Sequence, residues 1–119
     1  MQSVAEKVNA DWKGSGHRVH FIGDYYRKAH DDQEKFLMEN YGETAESIGS
    51  HAGILDTSEV LSINPDLIRK DKIALNGGYE DSGVRGDPTR ASVTRGELML
   101  AIKINNAVEQ IRKSIAAPE

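Results

Sequence analysis

Arg18-Val19-His20-Phe21-Ile22 is the stretch on which the fold class turns. Val19 and Phe21 lie on one parity and Ile22 on the other, so apolar side chains point both ways, which suits a strand covered on both faces better than one facing water. On its N-terminal side, Val4, Val8 and Trp12 recur every four residues across 2–13, with Ala5 beside them and Glu6, Lys7, Asn9 and Asp11 opposite. That is the apolar stripe of an amphipathic helix, with Trp12 reading as core. Gly14-Ser15-Gly16 ends it. Helix, glycine turn and buried strand make half of an α/β repeat, so the predicted fold class is α/β, with a parallel-type sheet flanked by helices.

Beyond that strand, the Tyr25-Tyr26 pair closes it, and Asp31 or Asp32 is placed to cap a helix carrying Phe36, Leu37 and Tyr41, with Gly42 as its stop. Ser47 to Ile63 carries a weaker helical pattern through Ile54, Leu55 and Leu61, closed by Asn64-Pro65. From Asn76 to Arg90 glycines and Pro88 dominate, which reads as a long loop. Thr94-Arg95-Gly96-Glu97 has the spacing of a capping box. After it, Ala101, Ile104, Val108, Ile111 and Ile115 alternate steps of three and four, a long C-terminal helix with a narrow apolar seam that could face the sheet or another subunit. Apart from 18–22, only Ile73 to Leu75 offers a second strand, so part of the sheet has to come from elsewhere.

The chain has 119 residues, 15 Lys+Arg against 19 Asp+Glu and a formal net charge of −4, with 38% hydrophobic residues and no cysteine. The length fits a single domain, 1–119. The absence of cysteine excludes a disulfide scaffold, a thiolate zinc site and a cysteine nucleophile, leaving His, Asp and Glu as metal ligands. The acidic balance argues against a nucleic-acid partner, and no apolar run approaches the roughly 18 residues of a membrane span. With no secretion signal pattern either, the expected location is the cytoplasm.

Four histidines are candidates for chemistry. His17 and His30 read as solvated, and His20 as a satisfied, half-buried imidazole on the strand. His51 differs in its company, Gly49-Ser50-His51-Ala52-Gly53-Ile54-Leu55-Asp56-Thr57-Ser58. Small residues there allow another group to approach closely. On a regular helix five residues separate His51 and Asp56 by about 140°, so the two converge only if His51 sits at the helix entrance. Otherwise Ser50 or His51 caps the helix and Asp56 is solvated. Gly83-Val84-Arg85-Gly86-Asp87-Pro88-Thr89-Arg90 reads either as an anion-holding loop or as a structural turn in which Asp87 bonds local amides and Pro88 fixes the bend.

Three motifs in order, His51-Ala52-Gly53-Ile54-Leu55-Asp56-Thr57-Ser58, Asn64-Pro65-Asp66-Leu67-Ile68-Arg69 and Gly83-Val84-Arg85-Gly86-Asp87-Pro88-Thr89-Arg90-Ala91, together resemble the C-terminal half of the creatininase (creatinine amidohydrolase) family. The resemblance implies a partial, creatininase-like layered α/β fold and a homo-oligomer. It also implies hydrolysis of a non-peptide C–N amide bond with a divalent metal, Zn or Mn, holding the attacking water. His51 matches the family histidine that shuttles the proton, and Asp56 stands at an acid position of the same motif. Gly53, Thr57 and Ser58, and Gly86, Asp87 and Pro88, match its binding and loop positions.

The departures carry their own implication. The family pattern reads Glu-His-Ala-Gly-x-x-Glu-Thr-Ser, where this chain has Ser50 for the first acid and the shorter Asp56 for the second. The family's other metal ligands, a Glu-x-His pair, an aspartate and a histidine in a glycine-rich loop, belong to its N-terminal half and have no counterpart here. The resemblance therefore implies a natural truncation, an internal start or a fragment that binds no metal and is inactive alone, with the missing half supplied in trans or the site rebuilt by oligomerisation. The alternative is a non-catalytic homologue that serves as an oligomeric binding or assembly module. A third reading is an unrelated small α/β domain with Trp12, Tyr25 and Tyr26 lining a pocket.

Overall fold

The computed structural model describes residues 1–73 and 82–116. Helices account for its regular structure: α1 (Gln2–Asp11), α2 (Tyr25–Tyr41), α3 (Ala45–Ile48), α4 (Ile54–Ile63) and α5 (Val93–Ala116), with single 3-10 turns at Pro65–Leu67, Lys70–Lys72 and Pro88–Arg90. Among the described residues no strand forms, and the one ladder contact is an isolated antiparallel bridge between His51 and Arg85. The expected α/β class with a parallel-type sheet is thus corrected to a predominantly helical fold.

The physical reason lies at Val19. An extended segment cannot satisfy its own backbone and needs a neighbouring strand. Here a side chain takes the neighbour's place: Asn9 on α1 accepts from the Val19 N–H at 2.8 Å and donates to the Val19 carbonyl at 2.9 Å. Residues 17–23 accordingly have no regular secondary structure. Of the second expected strand, Ile73 follows a 3-10 turn, while 74–75 lie outside the described residues, as does 76–81 of the expected loop.

Helix α2 begins at Tyr25, so Tyr25 and Tyr26 open a helix and do not end a strand, and Asp31 and Asp32 are interior residues, not caps. Its polar first half is supported by pairs one turn apart, Lys28 with Asp32 at 2.6 Å and His30 with Glu34 at 3.4 Å. Gly42 stops it as expected, left-handed at φ +65, with the Glu43 N–H bonded back to the Leu37 carbonyl in a Schellman arrangement. At the other end of the chain, the Ser92 hydroxyl accepts from the Arg95 N–H, so the α5 cap sits two residues before the expected Thr94 box.

Helix α5 packs on both α2 and α4. The core is Leu37, Ile48, Ile54, Leu55 and Met99, with Phe36 and Ile102 packed against it. At the α4–α5 crossing Gly96 is required, because a Cβ there would sit 1.9 Å from the Ser58 carbonyl oxygen. Ser58, fully buried, accepts from the Ser92 N–H across the same contact. The apolar seam of α5 faces away from this core: Ile104 is 58% exposed and Ile115 65%, and Ala101, Val108 and Ile111 are exposed as well. Trp12 is exposed as well, contrary to its reading as core. The molecule is elongated, 60 × 29 × 25 Å with a radius of gyration of 18.4 Å, where a compact chain of this length gives about 13–14 Å. Among the described residues no helix is long and apolar enough to cross a membrane.

Candidate functional site

His51 lies in the break between α3 and α4, at the entrance of α4 and not inside it. Its backbone is clamped to the second glycine-rich segment by two hydrogen bonds, His51 N–H to Arg85 carbonyl at 3.2 Å and Arg85 N–H to His51 carbonyl at 2.8 Å. Three glycines make the contact possible. A Cβ on Gly49 would lie 1.8 Å from the Arg85 oxygen, one on Gly53 would lie 2.2 Å from the Ile48 oxygen, and one on Gly86 would lie 2.7 Å from that same oxygen. The close approach expected from the small residues around His51 is therefore an approach by backbone, that of Arg85-Gly86.

The polar side chains of the motif divide sharply. Asp56 accepts from the Ala52 N–H at 2.8 Å, bracing a non-glycine residue held at φ 51. Thr57 donates its hydroxyl proton to the Ala52 carbonyl at 3.1 Å. Ser58 is buried on the Ser92 amide. Asp87 accepts from the Thr89 N–H at 3.0 Å and from the Thr89 hydroxyl, while the buried Pro88 starts the 3-10 turn, which is the structural-turn reading of that loop. The His51 ring is exposed and has no hydrogen-bond partner among the described residues. His51, in the break before α4, and Asp56, in the first turn of α4, thus make no hydrogen bond to each other, and neither Ser50 nor His51 caps α4, whose N-cap is Gly53.

Of the two arginines in the second loop, Arg85 is exposed and its side chain bonds only the Val84 carbonyl, whereas Arg90 is committed to an internal acid. Arg90 makes a bidentate pair with Glu43, at 2.7 and 2.9 Å, and Arg95 joins it at 2.8 Å. Glu43 is buried and also accepts from the Ser47 hydroxyl at 3.0 Å. Burial pushes its carboxyl up, but the bonds from Arg90 and Ser47 and the two guanidinium charges outweigh it and hold the group below the usual carboxylate range. Arg95 further lies over the Tyr41 ring, 4.5 Å from its centroid. This Glu43–Arg90–Arg95 clamp ties the end of α2 to the Pro88–Arg90 turn and to the start of α5. Sequence reading missed it, since 47 residues separate Glu43 from Arg90 and only their opposite charge hints at the pair.

Of the other histidines, His17 is exposed, His30 is half-buried beside Glu34, and His20 is satisfied at 2.8 Å by the Ser114 hydroxyl, as expected for it. The family resemblance implies a divalent ion. Among the described residues no group of three or more His, Asp or Glu side chains comes together to hold one, and the Asp56 carboxylate is already bound to a main-chain amide. These residues do not make a metal centre by themselves.

The family model described as Creatininase: Creatinine amidohydrolase covers residues 1–111 of the 119. It runs across most of the chain and does not mark out a C-terminal half alone. No curated protein and no solved structure matches it.

Proposed function

The chain belongs to the creatininase family, and on that premise we propose that it contributes to hydrolysis of a non-peptide C–N amide bond by supplying His51 as the proton-transfer group, with the divalent metal held by groups it does not provide. The observation that supports this is the division of labour around His51. Asp56, Thr57, Ser58 and Asp87 are all bound within the frame, whereas the His51 imidazole stands exposed on a backbone fixed from both sides. An imidazole presented in this way can take a proton from an attacking water and return it to a leaving nitrogen. Asp56 is a positioning residue: it sets the Ala52 turn that aims the histidine.

On this reading the isolated chain carries no stoichiometric metal and hydrolyses no amide. The test is elemental analysis of the light-scattering chromatography peak, with creatinine hydrolysis assayed in the presence and absence of zinc or manganese. Mixing with a separately expressed polypeptide that carries the family's Glu-x-His and glycine-rich-loop ligands should give turnover, and His51→Ala should abolish it. One or two tightly held ions with activity in the isolated chain, or activity in the mixture indifferent to His51→Ala, refutes the proposal.

A second reading has its own support in the outward seam of α5. Ala101, Ile104, Val108, Ile111 and Ile115 keep an a/d spacing over two heptads, and the flanking Asn105, Ala107, Arg112 and Ser114 carry no opposed like charges. We infer a non-catalytic role on this reading, as an assembly module in which two copies pair along α5. A dimer by light scattering that becomes a monomer in Ile104→Asp/Ile111→Asp, with helicity retained, supports it; a monomeric parent protein refutes it.

A further inference from the structure

A cleft remote from His51 opens where α1 ends. It has a volume of about 420 Å³ and is lined by Asn9, Trp12, Lys13, Gly14, Gly16, His17 and Arg18. No carboxylate lines it, in a chain whose acids outnumber its bases 19 to 15. Lys13 and Arg18 are exposed and have no ion-pair partner among the described residues. The N–H groups of Gly14 and Gly16 likewise have no protein acceptor among those residues, and nothing lies within 4 Å of where a Cβ would be on either glycine. The side-chain amide of Asn9 is used on both sides by Val19. The charged side chains that line the cleft are therefore all cationic.

Trp12 forms one wall. It is 45% exposed, with the His17 ring edge-on at 6.3 Å between centroids and an interplanar angle of 72°. An indole left this open presents a flat apolar surface beside the cations, and aromatic stacking adds to burial when a second ring covers it. The Asn9–Val19 pair ties the two sides of the cleft together before anything binds, which lowers the ordering cost of a ligand. The volume is within the range of small-molecule sites, roughly 300–1,000 Å³.

We propose that this cleft binds a small aromatic anion, a flat ring bearing a phosphate or carboxylate. The ring lies on Trp12, and the charged end is held by Lys13, Arg18 and the Gly14 and Gly16 amides, with His17 at its edge. The proposal is independent of the reading of His51.

Trp12 is the only tryptophan in the chain, so its emission reports on this cleft alone. The probes are phenyl phosphate and benzoate, with inorganic phosphate and benzyl alcohol supplying the charge and the ring separately. Calorimetry is run beside the fluorescence, so that a bound ligand without an optical signal is still seen. Saturable binding of phenyl phosphate or benzoate is expected, whichever headgroup is preferred. Inorganic phosphate and benzyl alcohol should each bind at least about tenfold more weakly, and Lys13→Gln and Arg18→Gln should each weaken binding about tenfold, a factor equal to about 1.4 kcal/mol. Both substitutions are on exposed side chains, and unchanged far-ultraviolet dichroism establishes that the variants are folded. The proposal is overturned if neither aromatic anion binds saturably, if inorganic phosphate alone binds as tightly, or if the two substitutions leave affinity unchanged.

Discussion

Replacing Gly49 by alanine should be among the most damaging single-methyl changes in this chain, and the structure separates the reasons. Gly49 has φ +70 and ψ 179, a region open essentially to glycine alone, so a side chain there carries a strain of about 1–3 kcal/mol. Its Cβ would also fall 1.8 Å from the Arg85 oxygen and 2.3 Å from the Gly86 Cα, both backbone atoms that can move only if the crossing opens. Opening it breaks the two His51–Arg85 hydrogen bonds, at about 1 kcal/mol each. Alanine also restricts the unfolded chain, which returns about 0.4–1 kcal/mol. The net expectation is a loss of about 3 kcal/mol. Two controls isolate the contributions. Gly83 has φ +82 with nothing within 4 Å, so Gly83→Ala has strain without clash and should cost about 1 kcal/mol. Gly53 has φ −83 and a Cβ position 2.2 Å from the Ile48 oxygen, so Gly53→Ala has clash without left-handed strain and should cost about 2 kcal/mol. Urea unfolding followed by circular dichroism measures all three, and in thermal melts each kcal/mol moves Tm by roughly 4 °C. Amide exchange at His51 and Arg85 should accelerate in the Gly49 variant and not in the Gly83 variant. If Gly49→Ala is as mild as Gly83→Ala, the backbone crossing does not hold the His51 loop.

Two further substitutions test hydrogen-bonded carboxylates. Glu43→Gln removes the carboxylate that Arg90 and Arg95 share, and should cost about 1.5–3 kcal/mol, the range for a hydrogen bond to a charged partner. Because the folded-state carboxyl is held below its ordinary value of 4.5, its contribution is present above about pH 4.5 and is lost as pH falls through the lower folded-state value. Acid titration of stability should therefore be shallower in Glu43→Gln than in the parent, and an unchanged slope would mean that the clamp does not contribute. Asp56→Ala should cost about 1 kcal/mol through loss of the Ala52 N–H bond, whereas Asp56→Asn, which keeps an acceptor oxygen, should be close to neutral in urea unfolding. Equal losses in the two variants would show that charge, not the hydrogen bond, is what Asp56 contributes.

The sequence carried the local signals well and the directional ones poorly. Gly42 as a stop, Asn64 and Asp87 as turn formers and the smallness around His51 are properties of single residues and their neighbours, and the structure has them where the sequence puts them. The strand at 18–22 failed because its apolar pattern describes a surface to be covered, and Asn9, not another strand, supplied the backbone partner. The seam of α5 failed in a different way. Periodicity places Ala101, Ile104, Val108, Ile111 and Ile115 on one face, yet the buried face of the helix is the less apolar one, with Gly96, Met99 and Asn106. Close approach at Gly96 and the polar links of Asn106 to Asp32 and of Lys103 to Glu59 decided which side turned inward.

The same distinction explains why the motif supports family membership more firmly than activity. A glycine crossing, a short acid on a main-chain amide and a hydroxyl on a carbonyl specify where a histidine stands, and those are the features this chain builds from its own residues. Activation of water requires charge converging on one point, and here the carboxylates of Asp56, Asp87 and Glu43 are already engaged: Asp56 with Ala52, Asp87 with Thr89, Glu43 with two arginines. A lone exposed imidazole can move a proton but cannot by itself stabilise the charge that builds on an amide oxygen, which takes positioned donors or a cation in a site shielded from water. The chemistry proposed for His51 therefore depends on a second set of groups meeting it from outside the frame described here, and the exposed position of its ring leaves room for them.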